Sequence, residues 1–134
     1  MARWLVKEEP THYGWEAFVK DKKTIWSGVK NALAQKHLRG MRKGDEIFYY
    51  HTGDEKAVVG IARAVSDPTP DPDDPTGKRA AVELAPVRKL AHPVLLSVIK
   101  ADRSLASMPL VRIGRLSVMP VTDAEWKRIL ELGQ

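Results

Sequence analysis

Three aromatic side chains stand outside the helical core patterns: Trp26 in a glycine-containing loop, and Tyr49 and Tyr50 at the end of a strand. An aromatic face free of the core can stack on a planar base, an interaction of about 1–3 kcal/mol in nucleic-acid complexes. The Asn31 amide offers donors and an acceptor to a base edge. The Arg112 and Arg115 guanidiniums suit phosphate. Each group also has a plainer use: Trp26 as a plug over the core, Asn31 as a helix cap, the arginines as a solvated rim. The run Lys7-Glu8-Glu9-Pro10 adds charge where an apolar strand, Trp4-Leu5-Val6, comes to an end. Proline stops the strand because it cannot donate to a ladder. Charges so placed either emerge into water or line the mouth of a cavity.

Covalent and metal chemistry find less support. His12, His37, His51 and His92 form no His-x₃-His pair, and the absence of cysteine removes thiolate zinc sites and disulfides. There is no Gly-x-Ser-x-Gly elbow and no phosphate loop. Ser27 precedes a glycine, but no base can be assigned to it. Glu8 and Glu9 are adjacent, so on a strand they point to opposite faces and cannot form a facing acid pair. No cofactor is expected.

The 134 residues suit one domain, 1–134, with 43% hydrophobic and 29% charged side chains. No apolar run approaches the roughly 18 residues of a membrane span, and Lys7 to Glu9 interrupt any signal-peptide core. The expectation is a cytoplasmic protein (nuclear in a eukaryote), with no membrane partner, and a monomer. The net charge of +5 is uneven: residues 1–50 carry +4, residues 51–77 carry −4 and residues 78–134 carry +5. A body this basic suits an anionic partner, nucleic acid first.

The elements that must position these groups follow from the pattern. Trp15, Phe18 and Val19 mark a short helix after Pro10. Residues 24–29 read as a loop in which Gly28 permits an unusual backbone. Residues 30–38 read as a helix stopped near Gly40. Glu46–His51 alternates as a strand, with Ile47 and Tyr49 on one face and Phe48 and Tyr50 on the other. It forms a hairpin with residues 57–65, where Gly60 and three alanines leave room for something bulky. Residues 66–77, with four prolines and four aspartates, read as an exposed, mobile loop. A strand over 80–84 extends irregularly to Leu90, a helix covers 93–101, residues 110–121 are apolar around two arginines, and Thr122-x-x-Glu125 caps a last helix. Strands and short helices without a βα rhythm predict an α+β domain on a curled sheet or small barrel.

Six motifs in this order are familiar: Trp4 to Pro10, Trp26-Ser-Gly-Val-Lys-Asn31, Met41 to Asp45 running into Phe48 to His51, Val59 to Ala62, Pro86 to Leu90, and Arg112 to Val118 with Pro120-Val121. Together they closely resemble the EVE domain family, over residues 3 to about 130. The resemblance implies a PUA-like fold, a curled or barrel-like β-sheet flanked by short α-helices. It implies a partner too: DNA or RNA carrying a modified base, modified cytosine above all, with the base flipped into an aromatic pocket. The matching pocket positions are Lys7, Glu9 and Pro10; Trp26, Gly28, Val29 and Asn31; Tyr49 and His51; and Arg112, Leu116 and Ser117. Glu8, Ser27, Tyr50 and Arg115 join them as neighbours. The family pattern is Lys-Ser-Glu-Pro, so Glu8 puts an anion where a hydroxyl is usual.

The expected mechanism is non-enzymatic reading: the base stacks on Trp26, opposite Tyr49, while Asn31 and Glu9 read its edge and Lys7 and the arginines hold the backbone. The alternatives are a small-molecule or nucleotide sensor using the same pocket, an enzyme on nucleic acid with Glu9 or His51 carrying a proton, and a partner-recruiting domain with a vestigial pocket.

Overall fold

A computed structural model describes residues 1–134. Its organising element is β1 (Arg3–Glu8), a strand with Trp4, Leu5 and Val6 buried in sequence. Such a strand needs cover on both faces and partners on both edges. It finds a parallel partner in β3 (Glu46–His51) and an antiparallel one in β7 (Val118–Pro120). β3 continues into β4 (Ala57–Ala64), β4 pairs with β6 (Ala80–Leu95), and β6 pairs with β2 (Thr24–Trp26). The order is therefore β2-β6-β4-β3-β1-β7, with β5 (Thr69–Pro70) attached to β6. The sheet curls into a half-barrel, and α3 (Ala32–Gly40) packs against β6 and β7 across its open side.

The hairpin of β3 and β4 has the expected alternation. Phe48 stacks on Trp126 of the last helix, α6 (Asp123–Leu132), with ring centroids 3.7 Å apart. Tyr49 packs the other way, among Trp15, Phe18 and Trp26. The space at Gly60 is taken by Trp15: a Cβ there would lie 2.6 Å from the indole ring. The Thr122–Glu125 capping box closes in both directions.

Several elements differ from the sequence expectation. Residues 24–26 are not loop but β2, an edge strand whose pairing with Leu84, Glu83 and Val82 lies far off in the chain. The helix after Pro10 is two, α1 (Pro10–Tyr13) and α2 (Trp15–Asp21), broken at Gly14, and Val19 remains 45% exposed. α3 starts at Ala32 because the Asn31 side chain accepts the Ala34 N–H at 3.0 Å. β6 runs unbroken through Pro86 and Pro93, which lie at or beside the places where its register against β4 shifts. Only residues 96–101 of the expected 93–101 helix form α4 (Leu96–Ala101). The 110–121 stretch divides into the end of α5 (Pro109–Arg112), a turn, and β7. The segment expected as an exposed loop, residues 66–77, contains β5 and buries Asp71 and Asp74. Asp74 accepts hydrogen bonds from the Thr76 hydroxyl and from the backbone N–H groups of Thr76, Lys78 and Arg79, which hold its carboxyl well below the usual carboxylate range.

Candidate functional site

The C-terminal end of β1 sends successive side chains to opposite faces of the sheet, and a cleft lies on each side. The first, of about 220 Å³, is lined by Glu8, His12, Tyr13, Thr24, Ile25, Trp26 and Ser27. That is several times the roughly 30 Å³ one water molecule occupies in the liquid. β2 brings Trp26 to its wall. The indole meets the Tyr49 ring edge-on at 5.6 Å, and Tyr49 is itself stacked on Phe18 at 5.2 Å. Tyr49 is fully buried and donates its hydroxyl to the Tyr13 carbonyl at 2.6 Å. Burial, with the charge of Glu8 nearby, raises its phenol far above the ordinary value. Tyr49 thus braces Trp26 from behind, and a base cannot sit between the two rings as expected from the sequence.

The loop after Trp26 is held by side chains that sequence reading assigned to a solvated loop. Gly28 has φ +72°, a conformation L side chains rarely adopt, and its N–H donates to Asp71 at 2.8 Å. The Ser27 hydroxyl donates to Asp73 at 2.7 Å. Val29 is buried, and its carbonyl accepts from the buried Gln35 amide, which also bonds both backbone groups of Ala80. Asn31 is the cap of α3. Its carbonyl oxygen is committed there, and its amide N–H groups make no hydrogen bond within the protein.

The two glutamates diverge as a strand requires. The Glu8 carboxylate faces the first cleft, accepts the Glu9 N–H at 2.8 Å and lies 3.2 Å from His12 Nδ1. Glu9 turns instead toward the β3–β4 turn, between the Thr11 and Thr52 hydroxyls and against Gly53. His51 is buried. Its Nε2 accepts the Trp15 N–H at 3.0 Å, so its Nδ1 carries the proton and donates to Glu55 at 2.7 Å. With both ring nitrogens engaged, His51 has no lone pair or proton facing either cleft. Pro10 opens α1. No three His, Asp or Glu side chains converge as a metal donor set.

Lys7 and Tyr50 face the second cleft, of about 180 Å³, together with Lys56, Lys100, Leu110 and Gly114. The Lys7 ammonium donates to the Gly114 carbonyl at 2.9 Å and lies 5.7 Å from the centre of the Tyr50 ring. Burial lowers its pKa. Arg112, the last residue of α5, and Arg115, on the turn after it, are exposed and pair with no carboxylate. Leu116 is buried beneath that turn, and the Ser117 carbonyl accepts the Lys7 N–H, extending the β1–β7 ladder.

The residues expected to share one pocket are therefore divided. Glu8, Trp26 and Ser27 line the first cleft and Lys7 and Tyr50 the second; Glu9, Gly28, Val29, Asn31, Tyr49, His51, Leu116 and Ser117 support one or the other without lining either. Sequence reading missed His12, Tyr13, Thr24 and Ile25 in the first, and Lys56 and Lys100 in the second. His12 was signalled by its spacing four residues after Glu8 across Pro10, the others by nothing local.

The EVE domain model matches residues 2–132. A protein of Rhodopseudomonas palustris with a solution structure is 41% identical, with TM-score 0.95, covering 99% of this chain and 93% of that one. Human THYN1, crystallised in complex with 5-methylcytosine-containing DNA, is 27% identical, with TM-score 0.89 and coverage of 100% and 98%. Thymocyte nuclear protein 1 from Homo sapiens is 27% identical over 98% of this chain and 73% of its own length. These likenesses confirm the PUA-like half-barrel. A family match over nearly every residue, on a fold shared with these solved structures, makes this chain a member of the EVE domain family.

Proposed function

We propose that this chain is a reader of DNA carrying a modified base, taking a flipped base into the first cleft without reacting with it. The observation that carries the reading is Trp26: an indole fixed by Tyr49 behind it, at the wall of a cleft that opens to solvent. Human THYN1, alike over the full length of the fold, is seen with 5-methylcytosine DNA, which supports a modified cytosine as the base. Flipping a base costs a few kcal/mol, and stacking worth about 1–3 kcal/mol returns part of it. Glu8 gives the cleft an acceptor where the family pattern has a hydroxyl. A carboxylate accepts from the exocyclic amine of cytosine, so this chain favours an amine-bearing edge. The free N–H groups of Asn31 lie on the loop that follows Trp26 and add donors for a carbonyl edge. The basic body supplies charge for the phosphates.

The test is a binding panel of short duplexes and single strands, DNA and RNA, with and without methylated cytosine, alongside the free nucleosides. Preference for the modified DNA, lost in Trp26→Ala, supports the reading. Equal binding of modified and unmodified strands overturns it, and tight binding of a free nucleoside alone replaces it with a small-molecule sensor.

A further inference from the structure

The second cleft has no part in that reading, and its chemistry is different. Tyr50 is 3% exposed, yet its hydroxyl makes no hydrogen bond within the protein. No buried side-chain polar atom is left unpaired, so this hydroxyl reaches the cleft that Tyr50 lines. An unpartnered phenol in a nearly buried ring, aimed into a cavity, is a donor awaiting an acceptor. Beside it stands the half-buried Lys7 ammonium, of whose three protons the Gly114 carbonyl takes one. Lys56 and Lys100 complete the rim, and none of the three lysines pairs with a carboxylate. No acidic residue lines this cleft. Lys56, Leu96 and Lys100 also line a neighbouring groove of about 450 Å³ that carries Asp54 and Glu55, the latter held by His51.

We propose that Lys7, Tyr50, Lys56 and Lys100 form a second binding site, separate from the base cleft, for a phosphate group. The Tyr50 hydroxyl and the Lys7 ammonium meet two of its oxygens at the floor, and Lys56 and Lys100 neutralise the charge at the rim. Burial raises the Tyr50 phenol, which keeps its proton available for donation, and lowers Lys7, so a bound anion offsets the cost that burial places on the Lys7 charge. The walls beside the floor, Leu110 and Leu96, are apolar and favour a phosphate that carries an organic group over a bare ion. Two sources share this chemistry: the backbone of a nucleic acid and a free nucleoside phosphate.

The site stands independently of base reading and is tested apart from it. Inorganic phosphate and a nucleoside monophosphate are titrated into the ¹⁵N-labelled protein, against sulfate-free buffer. The expected result is shifts at Tyr50, Lys56 and Gly114 with none at Trp26, and affinity weakened about tenfold in Tyr50→Phe, which removes only the hydroxyl, and by a similar factor in the surface variant Lys56→Gln/Lys100→Gln. Trp26→Ala leaves this binding unchanged. Binding of an unmodified oligonucleotide assigns the source. A salt slope reduced by about two in the double-lysine variant places the nucleic-acid backbone in the cleft; an unchanged slope, with phosphate binding lost, places a free nucleoside phosphate there. No shift at Tyr50 at millimolar phosphate, or shifts that persist in Tyr50→Phe, overturns the site.

Discussion

The two clefts at the end of β1 are lined by neighbouring residues of one strand and have opposite characters. Glu8 contributes an anion to an aromatic wall whose backing is filled by Tyr49, Phe18 and Trp15. Lys7 contributes a cation to a cleft with two more lysines, an unsatisfied phenol and apolar sides. Strand alternation turns a single Lys-Glu pair into two chemistries separated by the thickness of a sheet. One face is suited to recognising a planar group, the other to holding charge. Position along the chain therefore says little about which of two adjacent side chains serves which ligand; the pleat decides.

The aromatic cleft is disturbed most strongly from beneath. Gly60→Val drives a side chain into the Trp15 ring, 2.6 Å from where its Cβ would stand. Overpacking of this kind costs about 3 kcal/mol, which urea denaturation measures, and it shifts Tyr49 and Trp26 resonances while leaving those of Lys100 in place. Trp26→Ala is next. It removes stacking worth about 1–3 kcal/mol, read as a loss of about tenfold or more in affinity for a modified-base strand, with phosphate binding at Tyr50 unaffected. If both ligands weaken together, the clefts are one site. Glu8→Ser restores the family hydroxyl and removes an anion facing an anionic ligand. At about 1 kcal/mol for a charge pair near 4 Å in water, DNA binding tightens about fivefold by fluorescence anisotropy, with a smaller preference for amine-bearing bases.

A pH series distinguishes the two sides by charge. The folded-state pKa of Lys7 lies below its ordinary 10.5. The unfolded chain therefore binds more protons between the two values, and this group makes the protein more stable as pH rises through that window. Phosphate binding has the opposite slope: it weakens as Lys7 loses its proton, at a lower pH than an exposed lysine would require. Lys7→Arg, always charged, abolishes that early loss. The smallest effect belongs to Lys127→Gln, an exposed position on α6, where affinity at either cleft changes by less than twofold.

The hairpin of β3 and β4, the room at Gly60 and the final capping box were legible in the sequence because each rests on contacts between near neighbours or on a period that a single strand displays. β2 and β7 were not. Each is three residues long, and its partners are more than fifty residues away or at the other end of the chain. The site was readable as a set of residues and not as a place. Trp26, Glu8 and Ser27 line one cleft as a group, but Lys7 and Tyr50 needed the sheet to show that they face away from it. The acidic segment was misjudged for a related reason. Its aspartates look like solvated loop residues until Asp71 and Asp73 are seen bonded to Gly28 and Ser27. A charge count cannot tell a carboxylate that repels a ligand from one already occupied by the backbone beside it.

The place of β1 in the sheet has a consequence for how the molecule assembles. Arg3 to Glu8 wait for Glu46 to His51 on one side and for Val118 to Pro120 on the other. During synthesis the N-terminal strand leaves the ribosome long before the second of those partners exists, with its apolar residues uncovered on one edge. Pairings this distant in sequence are slow to close, and an unpaired apolar strand is exposed to association while it waits. The hairpin of β3 and β4 can form early, and Leu5 and Val6 can dock beside it, but the second cleft, walled by Leu110, Val111 and Gly114, takes shape only when the C-terminal segment arrives. The last fifth of the chain is thus a timing element for the face that carries Lys7 and Tyr50.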